Sequence, residues 1–132
     1  MKKHYKFSPW LSTVISLGVT IGILLVFTVI YSWISVKVGI SDAMSMVLVG
    51  VIAAVSWFVG AFILGIMRRQ NGLIWGMVHA GCMFVLLLII SVIVNGSNAS
   101  IFCIKSLLYA LLGALISGFG SVFGVHFALK RR

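Results

Sequence analysis

Four long apolar stretches divide the chain, and its polar residues collect in the gaps between them. Residues 10–36, 43–67, 73–94 and 106–129 contain no Asp, Glu, Lys or Arg. A helix needs about 20 apolar residues to cross the hydrocarbon core of a bilayer, so each stretch predicts a transmembrane helix. The gaps read "KVGISD", "RRQNG" and "NGSNASIFCIK". Each combines Gly, Asn or Asp with charge, the residues that end helices and make turns. Pro9 stands where the first helix begins, a position at which its missing N–H does no harm. The pattern predicts an all-α membrane protein, a single domain over residues 1–132 with four transmembrane helices.

The helices are not uniformly greasy. On a helical wheel at about 100° per residue, the last segment divides into two unlike faces. Ala110, Gly113, Ala114, Ser117, Gly118, Gly120, Ser121, Gly124, Val125 and Ala128 share one arc, and all but Val125 are small. Leu111, Leu112, Leu115, Ile116, Phe119, Val122, Phe123, His126 and Phe127 share the other. Looser small faces occur in the second segment (Ala43, Gly50, Ala53, Ala54, Gly60, Ala61, Gly65), the third (Gly72, Gly76, Ala80) and the first (Gly18, Gly22). Lipid tails are as apolar as leucine, so hydrophobicity cannot draw two membrane helices together, whereas close backbone approach can. The helical cost of glycine, about 1 kcal/mol per site in water, matters less in lipid, where an open backbone leaves polar groups unpaired. A compact bundle packed through small-residue faces is expected. A seam between copies of the chain is the other reading of the same pattern.

Composition removes whole classes of function. The chain is 62% hydrophobic, with a mean hydropathy of +1.25, far above a soluble domain of this size. The net charge of +9 is not the footprint of a nucleic-acid binder, which clusters its basic residues on one polar face. Here they lie between apolar runs, so nucleic acid is not an expected partner. Lys2, Lys3, Lys6, Arg68, Arg69, Lys130, Arg131 and Arg132 fall on one side of the predicted membrane, and only Lys37 and Lys105 on the other. The positive-inside rule then predicts both termini in the cytoplasm of a multi-pass cell-membrane protein. The basic residues at the helix ends, Arg68, Arg69, Lys130, Arg131 and Arg132, are expected to anchor on anionic lipid there. The long first apolar stretch, with no small-x-small site after it, reads as a retained anchor rather than a signal peptide. Tyr5, Phe7, Trp10 and Trp75 near one interface, and Tyr31, Trp33 and Tyr109 near the other, form the expected aromatic belts. Trp57 is predicted near mid-membrane, where its N–H needs a partner.

Candidate chemistry is sparse. His79 lies about 12 Å into the third helix at 1.5 Å per residue, on the same side as Gly72 and Gly76, and so faces the bundle. Ser12, Ser16 and Thr20 form a hydroxyl ridge at matching depth on the first helix. A hydrogen bond from His79 to Ser16 or Thr20 is expected. It serves either as interhelical glue or as a functional intramembrane site. His126 is expected at an interface. No acid exists to pair with His79, and no catalytic triad, metalloprotease helix or phosphate loop is present. Cys82 and Cys103 lie in different segments at different depths, and no metal spacing occurs. The sequence therefore predicts no enzyme, cofactor or metal. Sequons at Asn95 and Asn98 lie on the outer side.

The segments "VGAFILGIMRRQNGLIWG", "LLIIS" and "KSLLYALLGALISGFGSVFGV" carry a resemblance. The chain resembles a family of small four-helix integral membrane proteins of low-GC Gram-positive bacteria, catalogued as a domain of unknown function. In that family a basic loop leads to Gly-Leu and a second glycine, here Gly72, Leu73 and Gly76. Its last helix ends in a glycine-rich run, here Gly118, Gly120 and Gly124. The family usually has an apolar residue where this chain has His79, glycine where it has Ala80, and asparagine where it has His126. The resemblance therefore implies no catalytic residue, cofactor or activity, and weakens His79 as a shared functional group. The first expectation is a non-enzymatic structural or accessory component of a membrane complex, possible partners being a second copy or larger assembly. The alternative is a small oligomeric transporter or channel, with His79 and the Ser12, Ser16 and Thr20 ridge lining a polar path. A pore former of the lysis type is a third.

Overall fold

The computed structural model describes residues 8–96 and 104–131, with the side chains of Asn95 and of residues 104–106 left aside. Lys2, Lys3, Tyr5, Lys6, Phe7, Asn98, Cys103 and Arg132, and the side chain of Lys105, lie outside that description. The described residues form four helices: α1 Pro9–Val38, α2 Asp42–Arg68, α3 Gly72–Asn95 and α4 Ile104–Lys130. All four are long and apolar enough to cross a membrane. Each overruns its predicted bounds by one or two residues at either end, because polar end residues continue the helix until a turn residue stops it.

The stops are local chemistry. Gly39 adopts the left-handed conformation (φ 65°) and returns its N–H to the Ser35 carbonyl at 3.0 Å, which closes α1. Arg69 does the same for α2, at φ 56°, with its N–H 3.0 Å from the Gly65 carbonyl. Asn71, the residue before α3, is also left-handed (φ 50°) and gives no side-chain cap. The "RRQNG" turn thus holds two non-glycine residues in a region of backbone space that non-glycine residues seldom occupy. At the other end, Asp42 opens α2, where a negative charge suits the helix dipole.

The four helices do not form a simple ring. α2 packs most extensively on α4 and also holds α1; α3 packs chiefly on α4. α1 touches α2 and, slightly, α3, while no appreciable α1–α4 contact occurs among the described residues. Trp57 beside Gly113, and Phe62 beside Gly124, show that α2 and α4 run parallel. The start of α1, the end of α2, the start of α3 and the end of α4 gather at one end of the bundle. Packing is concentrated in that half. Every buried residue lies in 12–20 of α1, 56–65 of α2, 72–83 of α3 or 113–124 of α4. In the far half, no described residue of 21–51, 84–96 or 107–112 is buried. There α1 and α2 are joined by the Tyr31 hydroxyl, which donates to Ser45 Oγ at 2.6 Å.

The arc of small residues on α4 is wide because it serves two neighbours. Gly120 and Gly124 lie on the backbone of Phe58 and Phe62 in α2, and Gly113 lies against the Trp57 ring. Ser117 and Ser121 offer their backbones to Gly76 and Gly72 of α3, and Gly65 of α2 also meets Ser121. Gly118 touches Leu73. Gly72, Gly76, Gly113, Ser117, Gly118, Gly120, Ser121 and Gly124 are all buried within one chain. Three glycines of the expected small faces are placed differently. Gly18, Gly22 and Gly50 are exposed, with nothing near the position of a Cβ. The inward face of α1 carries hydroxyls instead, Ser12, Thr13, Ser16 and Thr20. These side chains are short enough for close approach and also supply hydrogen bonds, which glycine cannot.

Candidate functional site

The polar residues within the span converge where α1, α2 and α3 meet. His79, Ser16 and Thr20 are each 0% exposed. The Ser16 hydroxyl donates to the Gly60 carbonyl of α2 at 2.7 Å and lies 3.0 Å from His79 Nδ1. The Thr20 hydroxyl donates to the Ser16 carbonyl at 2.8 Å and lies 3.2 Å from His79 Nε2. Both ring nitrogens therefore have partners on α1. Gly60 makes this possible: a Cβ there would collide with Thr20 Oγ1 and sit 3.2 Å from His79 Nε2.

One assignment of the protons starts from the shortest bond, Ser16 to the Gly60 carbonyl. A serine hydroxyl has one proton, and that of Ser16 goes to the Gly60 carbonyl. Nδ1 must then supply the proton of its own bond to Ser16. In a neutral ring Nε2 is left as an acceptor, and the Thr20 hydroxyl divides its proton between Nε2 and the Ser16 carbonyl. One ring thus ties α1 to α3, and one hydroxyl ties α1 to α2.

Several other hydroxyls of the span bond to their own helix. Thr13 donates to the Pro9 carbonyl at 3.0 Å, Thr28 to Leu24 at 2.7 Å and Ser56 to Ile52 at 2.8 Å. Such back-bonding satisfies the hydroxyl without joining helices. Ser12 is bound the same way, to the Ser8 and Pro9 carbonyls, so the hydroxyl ridge includes one residue that does not reach His79. The polar column ends at Thr20. The next layer is Trp57, Ala80 and Met83, packed by Leu17, Ile21, Ala114 and Ile116. Among the described residues, Trp57 Nε1, Ser117 Oγ and Ser121 Oγ are buried without a hydrogen-bond partner.

The remaining candidates lie at the periphery. His126 is exposed on α4, and Cys82 is a half-buried free thiol. Arg68 lies over the Trp75 ring, its guanidinium carbon 3.5 Å from the centroid. Arg131 lies over Phe127 at 5.0 Å. Lys130 is exposed. No cluster of three or more metal-ligating side chains occurs among the described residues. Sequence reasoning missed the aromatic seam along α2 and α4. Phe58 lies 6.5 Å from Phe123, and Phe62 lies 5.9 Å from Phe127, both tilted. The repeated i, i+4 spacing of these pairs was the available signal.

Residues 9–124 match a family described as a protein of unknown function, DUF3792. The chain belongs to the DUF3792 family. The matched span covers α1, α2 and α3 and most of α4, so Ser16, Thr20, Gly60 and His79 all lie inside the shared region. DUF3792 membership assigns these residues no activity. No curated protein and no solved structure matches the chain.

The proton count leads to an unequal pair of mutants. Ser16→Ala removes the partner of Nδ1 and leaves a buried ring donor unpaired, at a cost of about 2 kcal/mol. His79→Leu leaves Ser16 and Thr20 with their carbonyl acceptors and fills a similar volume, at a cost of about 1 kcal/mol or less. The double mutant should be no less stable than Ser16→Ala alone. Unfolding of the four proteins in mild detergent, analysed as a double-mutant cycle, checks this; equal and additive losses would contradict the proton assignment.

Proposed function

We propose that this DUF3792 protein is a non-enzymatic structural or accessory component of a membrane complex. It sits in the cell membrane of a low-GC Gram-positive bacterium, as the family resemblance implies, with both termini in the cytoplasm. The eight-to-two distribution of Lys and Arg supports that orientation.

The observation that carries the proposal is the unevenness of the packing. One half of the bundle is closed by small-residue contacts and by the His79 cluster. The other half has no buried residue among 21–51, 84–96 and 107–112. Four helices that leave their far halves unpacked have surface to offer to a neighbour in the membrane, either a second copy or another protein. The polar groups argue against the transporter reading. His79, Ser16 and Thr20 satisfy one another, and about one turn further along α2 and α3 stands the apolar cluster of Trp57, Ala80 and Met83, whereas a path would have to continue.

Single-cysteine variants in native membranes test the proposal. Leu112→Cys in the far half should form cross-links to another chain, and Phe123→Cys in the closed half should form fewer. Purified protein in liposomes should pass no more ions or protons than empty vesicles, with or without His79→Leu. A chain that cross-links to nothing and carries a flux lost in His79→Leu overturns the proposal and supports the transporter.

A further inference from the structure

We propose that Arg68 and Trp75 form a phosphate-binding site at the closed end of the bundle, selective for the headgroup of an anionic phospholipid. The inference deepens the orientation given above and rests on it only for the identity of the leaflet.

Arg68 ends α2 and Trp75 lies in the first turn of α3, and the "RRQNG" turn brings the guanidinium over the indole, its carbon 3.5 Å from the ring centroid. A guanidinium held over an aromatic face can still hydrogen-bond through the N–H groups along its edges. Those edges are not used. Nε and Nη2 are covered by the protein and have no hydrogen-bond partner among the described residues. Together they are the side of the fork that matches two oxygens of a carboxylate or phosphate. Covered N–H groups without an acceptor are costly, so this edge gains from an anion.

The chain cannot supply that anion from a side chain. Its single acid, Asp42, opens α2 at the far end of the same helix, about 39 Å from Arg68 at 1.5 Å per residue. Among the described residues the charged side chains at this end are positive: Arg69 follows Arg68, Lys130 ends the parallel helix α4 and Arg131 comes just after it. An acceptor from outside the chain would fit this edge. At a membrane interface the abundant anion of the right shape is a phosphodiester, with the lipid's acyl chains beside exposed Leu73 and Ile74. A change in the Arg68 side-chain torsions that brings the Nε–Nη2 edge outward would let it meet two phosphate oxygens. A lysine could supply charge there but not the paired geometry.

Native mass spectrometry of the full chain from detergent, titrated with phosphatidylglycerol, tests the site. Arg68→Gln should lower retention about tenfold, the scale of a lost charge-assisted fork. Arg69→Gln, which removes the same charge one residue away, should lower it less than about twofold. Arg68→Lys should fall between the two. Phosphatidylcholine carries the same phosphodiester beside a cation that Arg69, Lys130 and Arg131 disfavour, so the wild type should retain it less well than phosphatidylglycerol. Competition by millimolar glycerol phosphate or inorganic phosphate would assign the site to a soluble phosphate; its absence assigns it to the lipid. Equal losses in Arg68→Gln and Arg69→Gln, or no preference for the anionic lipid, overturn the site. Detergent binding depends on neither topology nor partners, so a reporter fusion that reversed the orientation would move the site to the other leaflet without abolishing it.

Discussion

Gly124→Ile is expected to lower the thermal unfolding midpoint in detergent by about 10 °C. Any side chain at this position meets the Phe62 carbonyl and the Ile66 nitrogen of α2. These are backbone atoms of a hydrogen-bonded helix, and they cannot turn aside as a flexible side chain would. Relief requires α2 and α4 to separate along their most extensive contact, which also opens the Phe62–Phe127 pair. Overpacking a well-filled interior costs about 1–3 kcal/mol, and the upper end applies where backbone faces backbone. For a chain of this length, each kcal/mol moves the midpoint by about 3–5 °C. Gly120→Ile should behave alike, because its Cβ would stand 2.6 Å from the Phe58 carbonyl. Gly22→Ile is the control, since nothing lies within 4 Å of a Cβ there. If all three variants melt together, close backbone approach is not what holds the bundle.

The same contrast shows what the sequence could reveal. Residues on the small arc of α4 are inside and Phe119, Val122 and Phe123 are outside, because a helix with two distinct faces admits one sensible rotation. Gly18 and Gly22 give no such guide. They stand among residues of α1 that are apolar on every side, and the rotation of α1 is set by its hydroxyls, one of which needs the Gly60 carbonyl and two of which face His79. That pairing of helices is a tertiary fact. Spacing within α1 placed Ser12, Ser16 and Thr20 on one line but could not tell that Ser12 bonds to its own helix. The stack of Arg68 on Trp75 was hidden for a similar reason. It depends on two left-handed residues, Arg69 and Asn71, and only the second is a residue type that commonly signals such a turn.

The hold on α1 is concentrated at one notch, so a single methyl group should release it. Gly60→Ala is expected to cost about 2–3 kcal/mol by driving Thr20 and His79 out of the α1–α2–α3 junction. The atom in the way is Thr20 Oγ1, on a β-branched side chain with few rotamers available in a helix and with its proton directed to the Ser16 carbonyl. Among the described residues α1 has no appreciable contact with α4 and no buried residue in its far half, where the Tyr31–Ser45 hydrogen bond ties it to α2. Ser16 and Thr20, once displaced, can bond back to their own helix. His79 cannot, so a polar ring is left facing lipid or rewound into a worse packing. Moving the notch across the interface separates this account from a general effect of bulk. Gly60→Ala combined with Thr20→Gly clears the obstructing hydroxyl and methyl, and should recover about half of the lost stability, the remainder reflecting the glycine placed in α1 and the lost partner of Nε2. Thr20→Gly in an otherwise unchanged chain should be destabilising, so the recovery would be visible as strong non-additivity in the unfolding midpoints. If the two changes add, or if Gly60→Ala unfolds no earlier than Gly50→Ala at an open position, then α1 is held by something other than the His79 cluster.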